Sequence, residues 1–339
     1  REFGKDMKLE ELKNKKILIV GRGIEGNAVY KYLHKHLPNA VIDIVDQKDG
    51  ENYLDKQKNY DIAIKSPGVK RELIKIPYTT STNIFLSNSS GKVIGVTGTK
   101  GKSTTSTLIY EMLKTQGKNV YFAGNIGRSP LEFLDNLNDQ SWTVLEMSSF
   151  QLQDLGKSPA DAEGMAGKPH IAVVLMIGEE HLDYHKTFET YVDAKRNILR
   201  FQNPEDFAII NRDYPASYES EVYTKGKVFW ISREAEVEEG CFVKEGRIVV
   251  RAALRSLRQF SRSAGSAKAP RALFEEEIIS IKDILLPGKH NLENVCAAVM
   301  AATIAGVTKE NIVEVLKSFK GLEHRLEFVK DVNGIRFYN

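Results

Sequence analysis

The sequence contains little cysteine. Of its 339 residues only two are cysteine, Cys241 and Cys296, and they lie far apart in the chain. Neither belongs to a C-x-x-C pair, so the sequence indicates neither a disulfide framework nor a zinc ribbon. This cysteine usage is typical of a protein of the reducing cytoplasm, where we expect the chain to be located.

An excess of charge of one sign and long apolar runs are also missing. Lysine and arginine number 48 and the acids 45, which leaves a net charge of +3, too small to predict a nucleic-acid partner. No run of about 18 apolar residues occurs, so we expect no membrane span. The charged N-terminal segment has no apolar centre, so we expect no signal peptide.

What is present is the composition of a globular protein of about two domains, with 42% hydrophobic and 27% charged residues. Strand and helix patterns alternate over residues 1–90, as in "KILIVGRG", "GNAVYKYLHKHL" and "AVIDIVDQ". They predict a Rossmann-like α/β domain. Residues 91–327 repeat the alternation and predict a second α/β domain with a mostly parallel sheet flanked by helices. The hairpin pattern "FVKEGRIVV" adds a small β part.

Two segments of the second domain do not follow this alternation, and we interpret both as insertions. Residues 158–170 are rich in small side chains, and residues 251–277 begin with a stretch that holds five arginines and one lysine. That stretch contains no acid up to residue 273. Its composition favours a solvated surface insertion over an amphipathic helix that binds an anionic partner.

A glycine motif follows the first predicted strand. Gly21, Gly23 and Gly26 match G-x-G-x-x-G, and Asp46 follows twenty residues after the last of them. Alone, this spacing fits a nucleotide site or a plain turn from strand to helix. Its place between a strand and a helix favours a nucleotide without saying which one.

A second glycine-rich loop departs from the usual phosphate-loop spacing. In G-x-x-x-x-G-K-[ST] the first glycine would fall at Val96, but the glycines stand at 95 and 98. A sharp turn from a buried strand into a helix still gathers backbone N–H groups for a phosphate. Lys102 would add positive charge and Ser103 a hydroxyl for Mg²⁺. Because Gly-Lys-Ser opens the helix directly, a turn with incidental lysines is disfavoured.

Polar residues after later strands are further candidates. Glu146 ends an apolar strand, and a buried acid there would need a cation such as Mg²⁺, whereas a solvent-facing strand end would not. In "HLDYH", an extended chain would place His181, Asp183 and His185 on one side. Such an arrangement could hold zinc, but no further histidine or cysteine partner with recognisable spacing follows, so a single histidine at a Mg²⁺ and phosphate site is favoured.

Two helical patterns carry polar residues whose roles the pattern leaves open. Helical spacing alone favours a solvated lysine at Lys195. Asn291 and Asn294 stand three residues apart at the start of a helix, as caps or as ligand contacts.

The motifs together resemble the Mur ligase superfamily. "GVTGTKGKSTT" is similar to its phosphate loop T-G-[ST]-[NK]-G-K-[ST], in which the glycine stands three places before Gly-Lys. The other motifs follow in the family's order: "GNIG" (124–127), "LEMSSFQL" (145–152), "EEHLDYH" (179–185), "DAKRNI" (193–198), "GKHNLENV" (288–295) and "GLEHRLE" (321–327). "GNIG" and "SSFQL" resemble the branch that adds D-glutamate.

The resemblance implies a monomeric, ATP-dependent amide ligase of peptidoglycan synthesis with a P-loop ATPase-type central domain. It would join D-glutamate to UDP-N-acetylmuramoyl-L-alanine through an acyl phosphate, with ATP, two Mg²⁺ ions and a carbamylated Lys195. The alternatives are a Mur-type ligase for another amino acid, a ligase like folylpolyglutamate synthase, and a non-catalytic UDP-sugar or ATP-binding module. A nicotinamide-dependent oxidoreductase, resting on "GRGIEG" alone, is least favoured.

The resemblance also implies site residues. Lys102, His181 and Lys195 would be catalytic, and Ser103, Glu146, His181 and Lys195 would hold metal. ATP would be bound by Gly98, Thr99, Lys100, Gly101, Lys102, Ser103, Thr104, Asn291 and Arg325. The UDP substrate would be bound by Ile24, Glu25, Asp46, Gln47, Lys48, Gly68, Asn83, Asn125 and Ser148.

The chain departs from the family pattern in three places. Met176 stands where the family usually has asparagine, and Glu180 where it has aspartate. Residues 328–339 resemble the start of a linker to a third domain that holds D-glutamate in the family. From this ending we expect nucleotide binding with little turnover.

Overall fold

The structure, a computed structural model, describes residues 9–156, 167–253, 273–322, 328–332 and 335–338. The strands are β1 (Ile17–Val20), β2 (Ile42–Val45), β3 (Ile62–Lys65), β4 (Tyr78–Thr79), β5 (Lys92–Thr97), β6 (Val120–Gly124), β7 (Trp142–Glu146), β8 (Ile171–Val174), β9 (Phe207–Asn211), β10 (Lys227–Ser232), β11 (Gly240–Lys244), β12 (Arg247–Ala253), β13 (Leu273–Ser280), β14 (Phe328–Val332) and β15 (Ile335–Tyr338). The α-helices are α1 (Ile24–His36), α2 (Ser81–Asn88), α3 (Lys102–Thr115), α4 (Ser149–Leu152), α5 (Leu182–His185), α6 (Phe188–Arg200), α7 (Pro215–Tyr218), α8 (Asn291–Ile304) and α9 (Lys309–Ser318).

The N-terminal domain is built on a four-stranded parallel sheet in the order β2-β1-β3-β4. Strand β1 is the continuous apolar run Ile-Leu-Ile-Val, and all four of its residues are buried. Such a run is typical of a parallel strand that is covered on both faces. Helix α1 follows β1 and begins within the glycine motif, after Gly23, so the predicted Rossmann-like arrangement is confirmed.

The central domain has a nine-stranded sheet in the order β13-β12-β11-β10-β9-β8-β5-β7-β6. From β6 through β11 neighbouring strands are parallel, whereas β12 and β13 run antiparallel at one edge. The mostly parallel sheet with an added β part is therefore as predicted. In a parallel sheet the carboxyl ends of the strands lie at one edge, where ligands bind. This edge carries Thr97 of β5 and Glu146 of β7.

Two apolar cores cover the two faces of the central sheet. On one face, α3, α8 and α9 pack on the strands through residues such as Met112 and Met300. On the other face, α6 and the N-terminal domain share one core, to which Leu33, Phe85 and Ile198 belong. The N-terminal domain therefore packs directly on the central domain.

The two predicted insertions lie partly outside the described residues. This applies to residues 158–166 and 254–272, whereas 251–253 and 273–277 pair with each other in β12 and β13. That these segments are insertions stays a prediction. The predicted C-terminal hairpin is confirmed as β14 paired with β15, and its turn lies outside the described residues. Among the helices of the described ranges, none has the length and apolarity needed to cross a bilayer.

Candidate functional site

The glycine-rich loop after β5 turns sharply into α3. Gly101 precedes the first residue of α3 and has a φ of 87°, a left-handed conformation that glycine adopts without strain. A Cβ atom at this position would lie 2.1 Å from Oδ1 of Asn294. The loop is also fixed by Thr99, whose hydroxyl accepts a hydrogen bond from the Gly178 N–H at 2.9 Å. The sequence thus places the N-terminus of a 14-residue helix at the carboxyl edge of the sheet.

The two lysines of this loop differ in their surroundings. Nζ of Lys102 donates to the carbonyl oxygens of Gly98 at 2.9 Å and Thr99 at 3.0 Å, so its ammonium lies within the loop. Lys100 is exposed and pairs with Glu180 at 2.7 Å. Lys102 is therefore the lysine that can exchange loop carbonyls for the oxygens of a bound phosphate.

A cavity of about 230 Å³ opens beside the loop. It brings together five residues predicted for the site from separate motifs, Lys102, Asn125, Ser148, His181 and Lys195. The full lining is Lys102, Asn125, Ser148, Ser149, Phe150, Glu180, His181, Tyr191 and Lys195.

Lys195 lies on α6 and is 1% exposed. Its Nζ donates to the carbonyl of Gly98 at 2.8 Å and lies 4.6 Å from the ring centre of Tyr191. Burial, and secondly the charge of Lys102, hold the pKa of Lys195 well below its usual value. The solvated helix lysine expected from spacing alone is therefore wrong, because α6 turns this residue towards the phosphate loop.

Glu146 ends β7 and is 2% exposed, which excludes the solvent-facing strand end. One carboxylate oxygen accepts from Nδ2 of Asn125 at 3.0 Å, and the other, Oε2, has no hydrogen-bond partner within the described part of the chain. A buried carboxylate oxygen without a partner is costly, and carboxylate oxygens are ligands that Mg²⁺ prefers. Ser103 lies in the first turn of α3 and adds a hydroxyl. The residues present therefore fit a magnesium ion.

The "HLDYH" segment is not extended as expected. His181 has a φ of 56° and precedes the single turn of α5, so the two histidines face different surroundings. His181 is partly exposed beside Glu180, whereas His185 is buried and its Nε2 lies 3.0 Å from Oγ of Ser149. Burial, and then the charges of His181 and Lys195, lower the pKa of His185 to about 4. In the ranges that the structure describes, no three His, Cys, Asp or Glu residues cluster as metal ligands.

A larger cavity of about 520 Å³ lies around the glycine motif of the N-terminal domain. It contains most of the residues predicted to bind a UDP substrate and several that sequence reasoning did not identify. The lining is Gly21, Gly23, Ile24, Glu25, Asp46, Gln47, Tyr53, Ser66, Pro67, Gly68, Val69, Gly124, Asn125, Gly127 and Arg128. Tyr53 and Arg128 were missed because neither belongs to a motif.

Glu25 and Asp46 of this cavity are both held by neighbours. Glu25 accepts a hydrogen bond from Nε2 of Gln151 at 2.7 Å. The carboxylate of Asp46 accepts from the backbone N–H groups of Arg22 and Lys48, and these bonds lower its pKa. Asp46 is therefore a fixed acceptor at the rim.

Several predicted residues are not part of this larger lining. Lys48 is exposed beside it, and Ser148 lines the smaller cavity. Asn83 is buried in α2, and its Nδ2 donates to the carbonyl of Asp154 at 2.9 Å, which gives it a contact between the domains. Arg325 lies outside the described residues.

The two asparagines of α8 bond to each other. Nδ2 of Asn294 donates to Oδ1 of Asn291 at 2.8 Å, and Nδ2 of Asn291 donates to the carbonyl of Pro287 at 2.5 Å. The residue before the helix is His290, so neither asparagine is its N-cap. Through Oδ1, which accepts from Thr105 at 3.3 Å, Asn294 joins α8 to α3. Asn291 lines neither cavity and stays a predicted nucleotide contact.

Comparison with known proteins shows which family has this arrangement. The Mur ligase middle domain family matches residues 96–302, more than half of the chain. The UDP-N-acetylmuramoylalanine–D-glutamate ligase of Acetivibrio thermocellus is 34% identical, over 97% of this chain and 70% of its own length. The ligase of the same name from Bacillus pumilus is 33% identical, over 98% of this chain and 72% of its own length.

Solved structures agree on the fold. MurF from Acinetobacter baumannii aligns with a TM-score of 0.51 at 21% identity, over 74% of this chain and 51% of that one. A UDP-N-acetylmuramoyl-L-alanyl-D-glutamate–2,6-diaminopimelate ligase aligns with a TM-score of 0.54 at 17% identity, over 97% of this chain and 65% of that one. The chain thus spans about half to two thirds of these neighbours. By sequence and by fold, the chain belongs to the Mur ligases, in the family of UDP-N-acetylmuramoylalanine–D-glutamate ligases.

Proposed function

We propose that the chain binds UDP-N-acetylmuramoyl-L-alanine and ATP and joins D-glutamate to the former, as a cytoplasmic monomer in peptidoglycan synthesis. One observation carries this proposal, namely that Asn125 lines both cavities. A substrate held by its UDP end in the larger cavity would therefore extend past Asn125 to the phosphate loop. The amino acid added is inferred from the similarity of the chain to D-glutamate ligases.

The larger cavity suits a nucleoside diphosphate. Gly26 lies in the first turn of α1, and a Cβ there would lie 1.8 Å from the carbonyl of Gly21, so only glycine permits this close turn. The turn directs the N-terminus of a 13-residue helix at the cavity, and such termini favour anionic phosphates. Ile24 and Gly68 would form walls, and Asp46 would accept hydrogen bonds from the nucleoside.

The phosphate loop suits ATP. The backbone N–H groups from Gly98 to Thr104 would surround the phosphates, and Lys102 would move from the loop carbonyls to the β- and γ-phosphate oxygens. We retain Lys100, Asn291 and Arg325 as proposed nucleotide contacts.

Bound Mg²⁺ would neutralise charge between the two anions that must meet, a carboxylate and a phosphate. Ser103 and Glu146 would hold one ion beside ATP. His181 and Lys195 would hold a second ion, with Lys195 carrying a carbamate that presents a carboxylate. The burial of Lys195 against the phosphate loop supports this position.

The reaction would proceed in two steps. First, an oxygen of the L-alanyl carboxylate attacks the γ-phosphorus of ATP, ADP departs and an acyl phosphate forms. The amine of D-glutamate then attacks the carbonyl carbon and loses a proton, and phosphate leaves as the amide bond forms. Lys102 and the N-terminus of α3 would stabilise the phosphoryl charge. Ser148 and His181, which line the smaller cavity, would border the place where the carboxylate arrives.

Calorimetry with UDP and with ATP·Mg²⁺ tests the two sites without requiring turnover. We expect both ligands to bind at independent sites. Lys102→Ala should weaken the binding of ATP by about tenfold or more, because charged hydrogen bonds to phosphate are lost, and should leave the affinity for UDP unchanged. Lys114→Ala, at the other end of α3, is the matched control. Absence of ATP binding in the unsubstituted protein would refute the ligase assignment.

Phosphate release identifies the acceptor. It is measured with UDP-N-acetylmuramoyl-L-alanine, ATP and either D-glutamate or L-lysine, and any release is expected with D-glutamate. Release with L-lysine alone would favour another Mur-type ligase.

A carbamate carbon signal from ¹³C-labelled bicarbonate, lost in Lys195→Met, would support the modified lysine. A non-catalytic module would show neither this signal nor tight ATP·Mg²⁺ binding.

A further inference from the structure

The end of α4 and the residues after it, 151–156, connect the central domain to the N-terminal domain. Nε2 of Gln151 donates to Glu25, which lines the larger cavity. Three residues further, the carbonyl of Asp154 accepts from Nδ2 of Asn83 on α2. The two domains are therefore joined by specific polar bonds in addition to the shared apolar core.

At the centre of this connection lies a buried ion pair. Nζ of Lys65, at the end of β3, is 2.9 Å from Oδ2 of Asp154, and both side chains are completely buried. Oδ1 of the same carboxylate accepts from the hydroxyl of Tyr78 at 2.9 Å. Removing two charges from water costs about as much as their attraction returns, so such a pair adds little stability in comparison with an apolar pair. What it does provide is a fixed geometry.

The ammonium of Lys65 also holds the wall of the larger cavity. It donates to the carbonyl oxygens of Val69 at 2.9 Å and Ser66 at 3.3 Å, the two ends of the segment Ser66–Val69. All four residues of that segment line the cavity. The carbonyl of Val69 also accepts from the hydroxyl of Tyr184 in the central domain at 3.3 Å. The wall is thus bonded to an ammonium that is itself fixed by a carboxylate of the other domain.

We propose that the Lys65–Asp154 pair is a positioning element for substrate binding. It sets the place of the wall 66–69 relative to the central domain, and with it the place where a UDP-linked substrate ends at the phosphate loop. The inference rests on the proposed function, because it takes the larger cavity as the UDP site. An apolar pair could hold the domains together, but it would offer no donor to the two carbonyls.

Asp154→Asn tests the proposal by calorimetry with UDP and with ATP·Mg²⁺, on protein whose folding is verified by its melting temperature. We expect UDP to bind about tenfold more weakly, because a wall that is correctly placed in a tenth of the molecules raises the apparent Kd by that factor. The Kd of ATP·Mg²⁺ should stay within about twofold, since no residue of the pair lines the smaller cavity.

Asp206→Asn is the matched control. Asp206 is also a buried acid of the central domain, paired with Lys168 and His170, and none of the three lines the larger cavity. This variant should melt at a lower temperature and bind UDP with unchanged affinity. If Asp206→Asn and Asp154→Asn weaken the binding of UDP equally, the cause is a general loss of stability and the proposal is overturned.

A double variant, Lys65→Met with Asp154→Leu, separates positioning from stability even where Asp154→Asn fails to fold. Because it leaves no unpaired buried charge, its melting temperature should lie close to that of the unsubstituted protein. Its affinity for UDP should remain about tenfold reduced, since the wall has lost its donor. Recovery of both properties would make the pair purely structural. Failure of the unsubstituted protein to bind UDP would instead refute the proposed function, and the inference with it.

Discussion

At the scale of single residues, Gly101 shows what the phosphate loop requires. Alanine there would adopt a left-handed conformation, at about 1 kcal/mol or more, and would press its Cβ against the side chain of Asn294. We expect Gly101→Ala to lower the stability of the protein in urea unfolding. It should also weaken the binding of ATP·Mg²⁺ by about tenfold, because the first turn of α3 must shift.

Gly117 provides the control for this substitution. It follows α3 and has a φ of 75°, and no heavy atom of the described residues lies within 4 Å of the position that a Cβ would take. Gly117→Ala should therefore cost only the conformational strain, about 1 kcal/mol, with unchanged ATP affinity. If Gly101→Ala binds ATP as well as Gly117→Ala does, the close contact with α8 is not needed for the site.

Among the described residues that line the larger cavity, Arg128 is the only cation. Its guanidinium lies 5.1 Å from the ring centre of Phe133 and 3.5 Å from Glu132, and its side chain is half-exposed, so it can turn to a ligand. We expect Arg128→Gln to weaken the binding of UDP by about tenfold, because a charged hydrogen bond to the diphosphate is lost. The binding of uridine, which has no phosphate, should not change. Competition calorimetry with uridine, UMP and UDP measures the difference.

Arg22→Gln is the matched control for Arg128. Arg22 lies within the glycine motif of the N-terminal domain, but it pairs with Asp49 at 2.9 Å and is not in the cavity lining. The Arg22→Gln variant should leave the ratio of the UDP affinity to the uridine affinity unchanged. Equal weakening of uridine and UDP in Arg128→Gln would mean that Arg128 shapes the cavity instead of binding the diphosphate.

At the scale of elements, strand β7 ends at the buried acid Glu146, and we expect its carboxylate to serve the binding of Mg²⁺ more than the stability of the fold. Glu146→Gln keeps an oxygen for Asn125 but removes the charge at Oε2, which has no hydrogen-bond partner among the described residues. Without Mg²⁺ we expect this variant to be more stable, by about 1–2 kcal/mol in urea unfolding. Its affinity for ATP should no longer increase on addition of Mg²⁺, which calorimetry with and without the ion would show.

Glu293 gives the comparison for Glu146. It is also buried, but its carboxylate accepts from Asn211 at 2.7 Å and Tyr214 at 3.0 Å and pairs with Arg233 at 2.9 Å. Glu293→Gln should therefore destabilise the protein, since it weakens a satisfied network. A loss of stability in both variants would indicate that Glu146 is a structural acid.

Elements with strong local patterns could be predicted from the sequence. The apolar run before Gly98 predicted a strand, and Gly-Lys-Ser predicted a loop that leads directly into a helix. The structure has the strand, the loop and the helix. Strand β13 was not predicted, because its "EEE" makes it polar and its pairing partner β12 lies across a long segment. Helix α2 was missed because its apolar residues, Ile84, Phe85 and Leu86, are consecutive and give no helical period.

The site was predictable only in part for a similar reason. Lys195 looks solvated in a helical pattern, and its burial depends on α6 packing against a loop almost a hundred residues away. The inward turn of His185 depends on a left-handed His181, which no local pattern signals. Tyr53 and Arg128 reach the larger cavity from segments that the fold alone brings to it.

At the scale of the whole molecule, the shared core predicts how the domains unfold. Phe133 of the central domain is 2% exposed and packs edge-on against Phe85 of α2, with ring centres 6.1 Å apart. Since one core spans both domains, calorimetry should show a single transition. Phe133→Ala should remove about 3–5 kcal/mol and split the transition in two, with UDP raising only the lower one. Phe229→Ala removes an equally buried ring from the other core and should lower one undivided transition. A single transition in Phe133→Ala would show that the polar bonds of residues 151–156 suffice to couple the domains.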